Sequence, residues 1–125
     1  MNEDFTPFEL AVKLKEKGFD IPFYFYYRTD DKLIHHAMVT KPLVYCDKID
    51  DEVVCAPTIS QVLKWLREEK KIHIGFGYSP RKKWRHVVMY LDDRFYNKPT
   101  LTVDGFLEIE QAAIAGIEYV LDNLI

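Results

Sequence analysis

Apolar positions recur every three to four residues in three stretches of the chain, which is the spacing of an amphipathic helix. They predict a first helix over residues 7–17, a second that starts after Thr58, and a third from about Glu108 to Leu124. Thr6 is a residue type that caps helix starts, and Gly18 is typical of a helix stop. The residues that define the three apolar faces are Leu10, Ala11 and Leu14, then Ile59, Val62, Leu63 and Leu66, and then Ala112, Ala113, Gly116, Ile117, Val120, Leu121 and Leu124.

Strand patterns fill the segments between these helices. The segment from Ile72 to Tyr78 places an apolar residue at every second position, which predicts a strand with one buried face. The segment from Ser79 to Lys83 predicts a turn that leads into a partner strand. Propensity and turn signals predict further strands over residues 23–28, 33–40, 84–91 and 101–103, a strand piece at 95–96, and a hairpin within 43–56.

This order of elements predicts an α+β fold, in which an antiparallel sheet is packed by two to three helices. The C-terminal half has the predicted order α-β-β-β-α. A chain of 125 residues with 48% hydrophobic residues suits one domain over residues 1–125. Such a chain can bury a core without disulfides or a structural metal.

The aromatic segment from Phe23 to Tyr27 has two interpretations. Aromatic residues occupy both faces of this predicted strand. A central strand that is covered on both faces explains the pattern, and it is the interpretation that we favour. The alternative is an exposed aromatic face that binds another protein.

Several features of the sequence indicate a compartment. No stretch approaches the ~18 apolar residues of a membrane span. Glu3 and Asp4 are unlike the basic start of a secretory signal. Cys46 and Cys55 are too few for a disulfide framework, and we expect both to be reduced thiols. The sequence therefore predicts a cytoplasmic protein with no membrane association.

Charge is segregated along the chain. Residues 64–85 contain eight basic and two acidic residues, a net charge of +6, whereas the whole chain carries −3. The basic turn is flanked by the aromatic residues Tyr78 and Trp84, and cations beside aromatic rings suit phosphate contact and base stacking. The hairpin in this region is therefore a candidate nucleic-acid site, with Arg81, Lys82, Lys83, Trp84 and Arg85 as its residues. The favoured alternative is a solvated turn whose charges keep an edge hairpin soluble.

One sequence resemblance covers roughly residues 5–125. The segment from Cys55 to Thr58 leads into Lys64, Trp65, Leu66, Arg67 and Glu68, and the last helix contains Ala113, Ala115, Gly116, Ile117 and Leu121. In these features the chain resembles small uncharacterised proteins of gut Bacteroidales and of their phages or mobile elements. The resemblance implies a fold and a bacterial setting, and it brings no activity and no site residues.

The C-terminal half is also similar, in topology only, to the double-stranded RNA-binding domain. That module contacts RNA partly through basic residues at the start of its last helix. The corresponding positions here are Glu108 and Glu110, which would repel phosphate. The resemblance therefore implies a shape and not a binding surface.

No group of residues predicts catalysis, a cofactor or a metal site. His35 and His36 are neighbours on a predicted strand, so they point to opposite faces. Cys55 precedes a helix that could lower a thiol pKa, but a small buried residue is the simpler interpretation. The acidic residues within 47–52 lack the glycine and the ligand spacing of a calcium loop.

The sequence as a whole favours a non-enzymatic accessory protein that contacts an unknown protein partner or a second copy of itself. Weak nucleic-acid binding through residues 81–85 is the alternative. Protein contact predicts an exposed apolar patch, whereas nucleic-acid binding predicts that the hairpin cations form one face with Lys64, Arg67 and Lys71. An enzyme would instead need a pocket with converging polar groups.

Overall fold

The computed structural model describes residues 5–19, 25–30, 32–36, 53–93 and 101–125. In this part of the chain there are three helices, α1 (Phe8–Glu16), α2 (Ile59–Glu69) and α3 (Ile109–Asn123). The strands are β1 (Phe25–Arg28), β2 (Ile34–His36), β3 (Val53–Cys55), β4 (Ile72–Tyr78), β5 (Trp84–Tyr90) and β6 (Leu101–Phe106). The fold is α+β, and the predicted C-terminal order is confirmed as α2-β4-β5-β6-α3.

The chain divides into two compact units, residues 1–58 and residues 59–125. The N-terminal unit contains α1 and a sheet of order β2-β1-β3, and the C-terminal unit contains α2, α3 and a sheet of order β4-β5-β6. A single domain over residues 1–125 stays a prediction. Within the described residues, no helix combines the length and the apolar character that crossing a membrane requires.

An aromatic strand forms the middle of the N-terminal sheet. β1 pairs antiparallel with β2 on one side and with β3 on the other, so that Tyr26 lies opposite both His35 and Cys55. Tyr27 is buried in a cluster with Ala11 of α1, and Phe25 packs against the same cluster. The described part of this segment is therefore a central strand whose aromatic residues help to build the core.

Thr6 joins the start of the N-terminal unit to its end. The prediction that Thr6 caps α1 is wrong, because Pro7 occupies the N-cap and makes no side-chain cap bond. Thr6 is instead fully buried, and its N–H and hydroxyl both donate to the carbonyl oxygen of Pro57, at 2.9 and 3.0 Å. A β-bridge between Phe5 and Thr58 places that carbonyl beside Thr6. The hydroxyl of Thr6 therefore makes a tertiary hydrogen bond and not a helix cap.

The predicted stop of α1 is confirmed. Gly18 has a φ of +80°, a conformation that glycine adopts without strain. The N–H of Phe19 donates to the carbonyl oxygen of Leu14 at 3.0 Å, and the N–H of Gly18 donates to that of Lys15 at 3.2 Å. This is the Schellman pattern, and it turns Phe19 back into the core, where it is 1% exposed.

The C-terminal sheet is antiparallel in sequence order, and α2 and α3 pack on it and on each other. α3 lies close to the sheet at Gly116, where an added methyl group would lie 3.0 Å from Cγ2 of Ile74 and 3.3 Å from Cγ of His86. The predicted close approach through small residues is therefore present. The core of this unit includes Val62, Leu66, Ile72, Ile74, Val88, Ala112, Ala113, Ile117, Val120 and Leu121.

β6 extends beyond the predicted strand at residues 101–103. Its pairing with β5 shifts register between Trp84 and Arg85, which leaves Gly105 as an extra residue at a φ of +104°. Such a bulge places one extra residue in β6, and pairing with β5 continues on both sides of it. Other predictions lie outside the described residues: the strand at 43–45 that would complete the hairpin within 43–56, the acidic run at 47–52, and the strand piece at 95–96.

Candidate nucleic-acid interface

The helix-facing side of the C-terminal sheet is buried at one end and exposed at the other. Along β4, the exposed fraction of its helix-facing residues rises from 0% at Ile72 and 3% at Ile74 to 57% at Tyr78. Tyr78 is the last residue of β4, and the predicted basic turn follows it directly. We call residues 78–85 the hairpin end.

Ser79 fixes the backbone of the turn in the hairpin end. Its N–H donates to the carbonyl oxygen of Lys83 at 2.8 Å, and its carbonyl oxygen accepts from the N–H of Lys82 at 3.0 Å. Pro80 holds the second position of this turn, where its restricted φ is favoured. Lys82 follows with a φ of +61°, the left-handed conformation that closes a three-residue hairpin loop. The cations of the turn therefore sit on a defined backbone.

Three predicted site residues lie together in this turn. Arg81 and Lys82 are exposed, and Lys83 is half-buried. Consecutive cations on one tight turn add their fields, and the sum attracts a phosphate more strongly than a single exposed lysine does.

An aromatic pair stands beside the cations. The rings of Tyr78 and Trp84 lie on directly opposed positions of β4 and β5, with centroids 5.0 Å apart and planes inclined by 59°. Trp84 is half-buried, whereas Tyr78 is exposed, so Trp84 supports the ring that Tyr78 presents to solvent. The sequence predicted Tyr78 as an aromatic residue that flanks the basic turn, but the predicted site residues did not include it. The exposure of its ring and its contact with Trp84 add it to the hairpin end.

The structure separates Arg85 from this group. A methyl group added at Gly77 would lie 3.2 Å from Cγ and Cδ of Arg85, so the stem of Arg85 crosses Gly77 on the side of the sheet away from the helices. Trp84 contacts Tyr78 on the helix-facing side. Adjacent strand residues point to opposite faces, so Arg85 cannot act together with Trp84 on one surface.

Arg67 and Lys71 do not join the hairpin end. Lys71 directly precedes β4, about 20 Å along the strand from Tyr78. Arg67 lies in the last turn of α2, next to the same end of β4. The hairpin cations therefore do not form the face with Arg67 and Lys71 that was expected of a nucleic-acid binder, and the cations at the hairpin end are those of the turn. Acidic residues border it, since Trp84 pairs with Phe106 and the chain then continues to the exposed Glu108.

Comparison with protein-family models, with curated proteins and with solved structures finds no match to this chain. The hairpin end must therefore be interpreted from its own geometry. That geometry combines a rigid turn, adjacent cations and one exposed ring, which together can hold a phosphate and stack a flat group.

Two buried titratable groups lie away from the hairpin end. Burial lowers the pKa of His86, although a hydrogen bond from Nδ1 to the carbonyl oxygen of Ala112 at 3.0 Å opposes this shift. Burial raises the pKa of Tyr27, and the charge of Glu9 adds a smaller effect. Core packing explains both side chains, because His86 stacks on Phe106 and Tyr27 donates to the carbonyl oxygen of Thr6.

A metal site has no support in the described residues. Among them, no three or more His, Cys, Asp or Glu side chains lie close enough together to hold a metal ion. Residues 78–85 of the hairpin end include no His, Cys, Asp or Glu.

Proposed function

We propose that this protein binds nucleic acid weakly through its hairpin end and catalyses no reaction. The observation that carries the proposal is the exposed ring of Tyr78 beside the exposed cations Arg81 and Lys82. Stacking and phosphate contact are the two interactions that sequence-independent nucleic-acid binding uses. The resemblance to proteins of gut Bacteroidales and their phages or mobile elements supports a setting in the bacterial cytoplasm.

A protein partner fits this surface less well. Protein contact calls for a broad apolar patch. Within the C-terminal unit, the exposed Leu91 lies at the opposite end of β5 from the exposed Tyr78. Leu107 is near the hairpin end, but it is followed directly by Glu108.

Few phosphate contacts imply low affinity. Non-specific binding has dissociation constants of about 1–100 μM at physiological salt. If Arg81, Lys82 and Lys83 each contact one phosphate, a fourfold rise in salt should weaken binding to a single strand about 20-fold. The overall net charge of −3 further limits affinity for a long polyanion.

The test is a fluorescence anisotropy titration of a labelled thymidine decamer at low salt and at fourfold higher salt. The variant Arg81→Gln, Lys82→Gln should bind more weakly. The slope of its log association constant against log salt concentration should be shallower by about 1.4. The variant Lys64→Gln, Arg67→Gln removes the same charge from exposed positions of α2 and should bind as the wild type does. Absence of binding at low salt, or equal losses in both variants, would refute the proposal and make a protein partner the better hypothesis.

A further inference from the structure

We infer that Tyr78 selects single-stranded over duplex nucleic acid by stacking on an unpaired base. This inference rests on the proposed function of the hairpin end and specifies the ligand of the same site. It concerns a residue that the sequence marks only as a neighbour of the basic turn.

The first support is the unusual exposure of a helix-facing aromatic residue. Tyr90 lies on the same side of the sheet as Tyr78, at the other end of the β4–β5 pairing, and it is 7% exposed. Tyr78 is 57% exposed, although it follows the alternation of the same strand as the buried Ile72 and Ile74. The side chain of Tyr78 therefore lies on the face of the sheet that builds the core, but it is not buried there.

The second support is the way in which Tyr78 is held. Trp84, on the neighbouring strand, packs against Tyr78 with ring centroids 5.0 Å apart, so one side of the tyrosine ring is supported. The next residue, Ser79, is 4% exposed and carries the hydrogen bonds of the turn. A ring held in this way loses little conformational freedom when a base stacks on it.

The third support is the small size of the positive surface. Arg81 and Lys82 can hold the backbone of the strand whose base stacks on Tyr78. A duplex would present a second backbone, but Lys71 lies at the far end of β4, and Glu108 follows the strand that pairs with Trp84. Paired bases inside a duplex also have no open face for a tyrosine.

Three variants separate stacking from charge. Tyr78→Ala should weaken binding of the thymidine decamer roughly 5- to 160-fold, the range found for loss of one base–aromatic contact. Tyr78→Phe keeps the ring and should retain most of the affinity. Leu91→Ala is the matched control, because Leu91 is a 51% exposed hydrophobic residue at the opposite end of the sheet, and it should have no effect.

The ligand comparison uses the decamer and a duplex of about 20 base pairs. At this length, the terminal base pairs, whose outer faces are open, make up only a small part of the duplex. The wild type should prefer the single strand at equal salt, and Tyr78→Ala should remove that preference while thermal unfolding of the protein stays close to the wild type. Equal binding of both ligands, with Tyr78→Ala no different from Leu91→Ala, would overturn this inference and leave charge-based binding intact. Absence of binding to either ligand would instead refute the proposed function.

Discussion

The two ends of the β4–β5 pairing contain similar residues in different surroundings. One end begins with Lys71 and pairs Ile72 with the buried Tyr90, and the other pairs Tyr78 with Trp84 and continues into Lys82. Both ends have a lysine in the left-handed conformation and an aromatic residue on the helix-facing side. Burial, and not residue type, therefore distinguishes the end that we propose as a binding site.

Truncation of one side chain at each end should have the largest effect. Ile72→Ala should destabilise the protein by about 2–5 kcal/mol, because Ile72 is 0% exposed and its loss leaves a cavity. Tyr78→Ala should cost less than about 1 kcal/mol, since more than half of that side chain is already in water. Urea unfolding followed by circular dichroism measures both values. Similar losses would show that the hairpin end is as much a part of the core as the other end.

The dependence of stability on pH offers a second contrast. His86 is 2% exposed, and its Nε2 has no hydrogen-bond partner among the described residues. Its pKa is lowered in the folded protein, so the unfolded chain binds the proton more readily, and stability should fall as pH drops below about 6.5. Above that pH the contribution of this histidine should be constant.

A variant assigns this effect to the buried ring. His86→Phe keeps a ring that can stack on Phe106 and should flatten the loss of stability between neutral and mildly acidic pH. His73→Gln is the matched control on the other side of the sheet, and it should retain the wild-type profile. If both variants lose the same acid sensitivity, the buried ring is not its source.

The smallest effect concerns the two left-handed lysines. Lys82→Gly and Lys71→Gly each remove one charge and relieve a φ of +61° or +57°, so each should stabilise the protein by about 0.5–1 kcal/mol. Only Lys82→Gly should weaken binding of the decamer. It should also make the slope of the log association constant against log salt concentration shallower by about 0.7. Thermal unfolding and the salt titration, run on both variants, test this. Equal loss of affinity from Lys71→Gly would show that binding follows net charge and not position.

Much of the fold could be predicted from local patterns. The alternation of residues 72–78 gave β4 with its bounds, and Gly18 marked the end of α1 correctly. Thr6 was misassigned because a cap is a local signal, whereas its actual acceptor, the carbonyl oxygen of Pro57, is 51 residues away in the chain. A contact at that separation has no periodic signature.

The candidate site was predicted less completely than the fold. Composition located the cations at residues 81–83, but the same pattern grouped Trp84 with Arg85, which the two-residue period of a strand separates. It also kept Tyr78 as a flanking residue outside the predicted site, because alternation alone cannot say where the cover of the helices ends. The left-handed conformation of Lys82 was equally hidden, since lysine is not a residue type that favours it.

The contact between Thr6 and Pro57 has a consequence for how the protein is made. The N–H and hydroxyl of Thr6 can donate to the carbonyl oxygen of Pro57 only after the ribosome has added 51 further residues. Closing a loop of that length is a slow, entropically costly step compared with forming the β4–β5 hairpin. The N-terminal unit should therefore remain incomplete during most of its own translation, and a nascent chain released before residue 57 should be more sensitive to proteases than one released just after it.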